Sequence, residues 1–119
     1  MADRVRGNTF RWKFSDGPMK NKSFEHTFEP GGAVRYRSAD GGGDSEWTKE
    51  KKYEVAAVSA DVDVVSYLGS SGYTLTVVLD SKTKKLVAFA SNEKSLLLQH
   101  GTFELVKDMT GTRRTVKKK

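Results

Sequence analysis

The sequence predicts an all-β protein, an antiparallel up-and-down barrel of eight strands with one short helix near residues 92–100. Three observations lead there. Apolar side chains recur at every second position along most of the chain, the period of a strand with one dry face and one wet face. Short segments rich in Gly, Asp and Ser separate these runs, and links so short force neighbouring strands to run antiparallel. About eight strands with one apolar face each are best satisfied by curling into a closed barrel, which also removes exposed sheet edges.

The first strand, residues 9–14, sets Phe10, Trp12 and Phe14 against Thr9, Arg11 and Lys13, and the second, 23–28, sets Phe24, His26 and Phe28 against Ser23, Glu25 and Thr27. A short third strand carries Val34 and Tyr36 opposite Arg35 and Arg37. Tyr53, Val55 and Ala57 mark the fourth; Val62, Val64, Ser66 and Leu68 the inward face of the fifth; Tyr73, Leu75, Val77 and Leu79 that of the sixth. Leu86, Ala88 and Ala90, then Phe103 and Leu105, complete the set. Between them lie turn segments such as Ser15-Asp16-Gly17-Pro18 and Gly69-Ser70-Ser71-Gly72, where Gly supplies positive φ and Asp or Ser bonds the turning backbone. Asn92 is placed to cap a helical turn carrying Leu96, Leu97 and Leu98 and ending before Gly101, with an extended segment as the alternative. The expected domain is 7–106, followed by a basic, disordered tail at 107–119.

Composition narrows the function classes. The chain has 119 residues, no Cys, two His and 12 aromatics, so disulfide scaffolds and thiolate zinc modules are excluded while a packed core is feasible. Its longest apolar run, Leu86 to Ala90, is far short of the roughly 20 residues that cross a bilayer. With no apolar leader at the start either, a cytoplasmic protein with no membrane span is expected. The net charge of +6 invites a nucleic-acid reading, yet +5 of it falls in residues 107–119 and only +1 in the rest, so no specific nucleic-acid contact is expected of the barrel.

The run Gly7-Asn8-Thr9-Phe10-Arg11-Trp12-Lys13-Phe14-Ser15-Asp16-Gly17, with Phe24-Glu25-His26-Thr27-Phe28, Val34-Arg35-Tyr36-Arg37 and Glu46-Trp47, resembles the MoaF-like small calycin (lipocalin-like) barrels. It is more distantly similar to bacterial phenolic acid decarboxylases, and order and spacing over about residues 7–106 carry the likeness. The resemblance implies the barrel and a dimeric habit. It does not imply decarboxylase chemistry: where that family has a carboxylate-gripping pair of tyrosines this chain has Trp12 and Phe14, Arg37 matches the family's functional arginine, and no glutamate stands near Ala60.

An eight-stranded barrel either fills with its own side chains or holds one small ligand. The inward residues, among them Trp12, Phe14, Phe24, His26, Tyr36, Tyr53 and Tyr73, give an aromatic lining with a few polar groups, the usual character of a small-molecule pocket. The leading expectation is therefore a barrel that binds a small hydrophobic or aromatic ligand through those residues and Arg37. A cofactor-free lyase or isomerase acting on an aromatic or carboxylate-bearing substrate is one alternative, and a structural barrel with a filled core another. His26 alone breaks the apolar face of its strand, which makes it the candidate catalytic residue, with a histidine bonded to a neighbouring Tyr as the plainer reading. Arg37 is a cation at the barrel rim suited to a carboxylate, although its phase points outward. No metal site or cofactor is expected, because His26 and His100 are far apart and no ligand spacing or phosphate loop is present. The Gly41 to Gly43 run reads as a hairpin loop or a lid. Val65, Tyr67, Val78, Val87 and Phe89 fall on the expected outer face, an apolar patch to be covered by a second copy in a homodimer or, as the alternative, by the 92–100 segment folding back with Leu96 to Leu98.

Overall fold

A computed structural model describes residues 4–39 and 46–108. It is all β, with strands β1 (Asn8–Phe14), β2 (Ser23–Phe28), β3 (Val34–Ser38), β4 (Thr48–Glu50), β5 (Tyr53–Ala57), β6 (Val62–Leu68), β7 (Thr74–Asp80), β8 (Lys85–Ser91) and β9 (Leu96–Asp108). All neighbours pair antiparallel in the order β4-β3-β2-β1-β9-β8-β7-β6-β5. The two ends of that order are consecutive in sequence. Residues 48–57 pair with β3 through Thr48–Glu50 and with β6 through Tyr53–Ala57, bending at Lys51-Lys52. The ninth strand is thus Thr48–Glu50, which lies just before the expected fourth, and the bend between the two brings the sheet round into a nearly closed barrel.

Most of the alternation falls as expected. Phe10, Trp12 and Phe14 are buried in the interior, as are Phe28, Val34, Val77, Leu79, Leu86, Ala88 and Phe103. Four expectations are corrected. First, no helix forms at 92–100: Asn92 Oδ1 accepts the backbone N–H of Lys94 and Ser95, the chemistry of a cap, but the bonds close a hairpin and Leu96 to Gly101 then pair with β8. Second, β6 has the opposite phase. Asp63, Val65 and Tyr67 point inward and Leu68 is 73% exposed. Ser66, expected inside, bonds its hydroxyl to that of Thr76. The strand is apolar on both faces, and what selects the observed one is a partner for each inward polar group: Arg4 for Asp63 and His26 for Tyr67. Val65 and Tyr67 are therefore core residues and cannot belong to a dimer surface; of the expected patch Val78, Val87 and Phe89 remain outside. Third, Leu105 is half exposed, past a register shift at Thr9/Phe10 that leaves Val106 unpaired against β1. Fourth, Lys107 and Asp108 continue β9 opposite Thr9 and Asn8, so the barrel runs beyond the expected boundary at 106. The Gly41 to Gly43 loop and the rest of the tail lie outside the described residues.

One end of the barrel is stoppered. The Arg4 guanidinium bonds Asp63 Oδ2 at 2.8–2.9 Å and also the carbonyl of Ala60, while the Gly7 N–H donates to Phe28 O at 2.6 Å. Residues 4–7 thereby cross that end, and Val5 drops into the core, 1% exposed. Gly101 is fixed by close packing where β9 meets β1, since a Cβ there would run into the Lys13 carbonyl.

Candidate functional site

The opposite end is open and holds a cavity of about 360 Å³. Its walls come from five directions. β1 supplies Trp12 and Phe14, β2 Phe24 and His26, and β3 Tyr36; β6 and the turn after it bring Tyr67, Gly69, Ser71 and Tyr73; β7 to β9 bring Leu75, Ala90, Leu97 and Gln99. Period-2 geometry delivers every strand residue in this set, because each lies on the inward face of its own strand.

Along one wall the rings stand nearly parallel. Trp12 and His26 stack with centroids 3.8 Å apart and planes 17° from parallel, His26 and Tyr36 follow at 5.5 Å and 22°, and Tyr36 and Tyr67 at 5.9 Å and 29°. Phe14 and Phe24 meet edge to face at 6.0 Å. At the mouth, Pro18 and Met19 of the β1–β2 turn are drawn over the cavity by a bond from the Met19 N–H to Gln99 Oε1 and by the Asp16 carboxylate. That carboxylate accepts both the backbone N–H of His100 and its Nδ1, at 2.7 and 2.8 Å. The backbone amide of His100 first, and its ring second, hold the Asp16 pKa below the ordinary carboxylate value.

His26 Nε2 and the Tyr67 hydroxyl are 2.9 Å apart deep in the site. Burial without a countercharge pushes the His26 pKa down to about 3, so the ring is neutral near pH 7. Burial also raises the Tyr67 pKa, with Tyr36 and Glu50 adding to the effect. Behind the wall sits Glu50, 5% exposed, whose Oε2 accepts from the Tyr36 hydroxyl and from both the N–H and the hydroxyl of Ser70. Burial and the Glu50 bond raise the Tyr36 pKa.

Of the expected ligand-binding residues, Trp12, Phe14, Phe24, His26, Tyr36 and Tyr73 line this cavity together. Two do not. Tyr53 is buried near the bend, its hydroxyl donating to Glu29 O and its ring edge-on to Phe28 with Arg6 over it. Arg37 points outward, bonded to Glu25 Oε1 at 2.9 Å and lying 4.3 Å over Trp47. Arg11 takes the other oxygen of Glu25. Burial raises the Glu25 pKa, but its bonds from Arg37 and Arg11 outweigh that and leave it below the ordinary value. Sequence reasoning missed Tyr67, Glu50 and Gln99. Tyr67 had a signal in the equal apolarity of both β6 faces; Thr48-Lys49-Glu50 has no alternation to read.

Among the described residues no three His, Asp or Glu side chains gather to hold a metal ion. No described helix is long and apolar enough to cross a membrane.

No family model and no curated protein matches this chain. Among solved structures the fold is similar to that of a Burkholderia vietnamiensis protein provisionally described as a beta-lactamase. The TM-score is 0.70 with 16% identity, over 89% of this chain and 99% of the other. At that identity the likeness shows the fold alone.

Proposed function

We propose that this chain is a small-molecule-binding β-barrel whose ligand, apolar or aromatic, sits in the open end. The observation that carries this reading is the cavity of about 360 Å³ walled by Trp12, Phe14, Phe24, Tyr36 and Tyr73, a size within the usual range of ligand pockets. Well-packed interiors have few voids larger than a water molecule, so a barrel built only as a scaffold would be expected to fill this space. The stacked Trp12, His26 and Tyr36 rings offer a flat surface to a planar ligand. The lyase or isomerase alternative loses its carboxylate anchor, because Arg37 faces away from the cavity.

Titration with the neutral fluorescent probe N-phenyl-1-naphthylamine tests the reading. Saturable one-site binding is expected, and Ala90→Trp, which fills the cavity from β8, should weaken it by at least about tenfold, or 1.4 kcal/mol. Equal binding by wild type and Ala90→Trp would overturn it. The homodimer expectation now rests on Val78, Val87 and Phe89, joined on the outer face by Leu98, which is paired with Phe89. It is checked by the solution mass of wild type and Phe89→Glu: a wild-type dimer reduced to monomer supports it, and a wild-type monomer defeats it.

A further inference from the structure

The small-molecule reading leaves the chemistry of the ligand open, and the polar atoms of the cavity narrow it. Among the described residues no Asp, Glu, Lys or Arg lines the space, and the one histidine there is fully enclosed beside Trp12 and Tyr67. Glu50 brings a carboxylate close behind the wall, 3.9 Å from where a Cβ on Gly69 would stand, and its described partners are hydroxyls and an amide, none of them cationic. Among the described residues an anionic ligand would meet an apolar space with no countercharge and a like charge nearby, a costly burial.

The hydrogen-bond inventory adds a second constraint. Neutral His26 has one N–H, and its Nδ1 is buried with no partner. If Tyr67 donated to Nε2, the proton on Nδ1 would be an orphaned buried donor, the rarer kind of defect. With the proton on Nε2 instead, His26 donates to the Tyr67 oxygen and Nδ1 keeps only an unused lone pair. The Tyr67 O–H is then left without an acceptor among the described residues, on a side chain that lines the cavity.

Resting on the small-molecule reading, we infer that the cavity takes an uncharged, planar aromatic molecule carrying an oxygen acceptor, a ketone or ether rather than a carboxylate, and that the Tyr67 hydroxyl donates to that oxygen. Tyr67 is a specificity residue, and the flat ring wall is the general binding surface.

Three ligands of nearly one shape test this by displacing N-phenyl-1-naphthylamine: 2-acetonaphthone, 2-naphthoate and 2-isopropylnaphthalene. At neutral pH the wild type should bind the ketone at least about tenfold more tightly than the carboxylate. Tyr67→Phe should cut the ketone-to-hydrocarbon affinity ratio about five- to tenfold, the worth of one hydrogen bond. Tyr53→Phe, whose hydroxyl donates to Glu29 O away from the cavity, should leave that ratio unchanged. Naphthoate binding as tightly as the ketone overturns the inference, as does an unchanged ratio in folded Tyr67→Phe. If Tyr67→Phe fails to fold, the ketone-against-carboxylate comparison in wild type still decides. Failure of all three to displace the probe, or equal binding to Ala90→Trp, would instead sink the pocket reading itself.

Discussion

The two ends of the barrel are built from the same alternating strands yet differ in what fills them. At the stoppered end, Phe10 lies 6.1 Å from Phe28 and 5.9 Å from Phe103, Val5 descends from the N-terminal segment, and Leu79 and Leu86 complete a dry core. At the open end the aromatics are more numerous, but most stand along one wall and face Leu75, Ala90 and Leu97 across the cavity. The difference lies in what crosses the end. Residues 4–7 fill the first; among the described residues, only Pro18 and Met19, held through Gln99 and Asp16, lean over the second. Aromatic content alone therefore does not make a pocket. A barrel end becomes one when no segment of chain supplies the side chains that would fill it.

The sharpest break of that comparison is a pair of truncations. Phe28→Ala, at a side chain with no exposure, should cost about 3–5 kcal/mol in denaturant melts. Phe24→Ala, a half-buried residue already bordering a cavity, should cost less than about half of that, because little new void is created. Equal losses would show the open end to be as tightly packed as the closed one.

Next in size is the stopper itself. Arg4→Ala strands the Asp63 carboxylate, whose side chain is 7% exposed, without its cation, and a loss of about 2–3 kcal/mol is expected, less than for a fully buried pair because Arg4 is partly solvated. A double substitution, Arg4→Met with Asp63→Leu, should recover most of it. No recovery would mean that residues 4–7 are held by something other than this ion pair.

A smaller effect belongs to the open end and reads out by pH. The folded His26 pKa of about 3 lies below the ordinary unfolded value near 6.5, so the unfolded chain binds the proton first and stability falls as the pH drops through that window. Between pH 6.5 and 5.5 the loss from this group is about 1 kcal/mol, above the range where Glu25, whose depressed pKa contributes stability lost below about pH 4, begins to act. His26→Phe should flatten the pH 5.5–6.5 segment of the stability curve. An unchanged slope would mean that His26 is not the titrating group.

Legibility in the sequence followed the locality of the deciding contact. Trp12, Phe14, Phe24, His26, Tyr36 and Tyr73 were readable as one aromatic surface because alternation is a local property of each strand. Asn92 was readable as a capping residue, but whether its bonds open a helix or close a hairpin depends on β8 lying alongside to pair with Leu96 to Gly101. Arg37 was correctly phased outward, and its matched partner Glu25 could not be named from its own strand.

The sequence by itself determined the antiparallel order of strands, the inward aromatic face of the first three, and the concentration of net charge in residues 107–119. Tertiary structure alone decided the phase of β6, the bend at Lys51-Lys52 that closes the sheet, and the openness of one end. The physical reason is distance along the chain. Tyr67 turns inward to meet His26, 41 residues away, Asp63 to meet Arg4, 59 away, and Met19 is anchored by Gln99, 80 away. Periodicity within a strand carries no record of such partners, and they decide which of two apolar faces is buried and what remains unfilled.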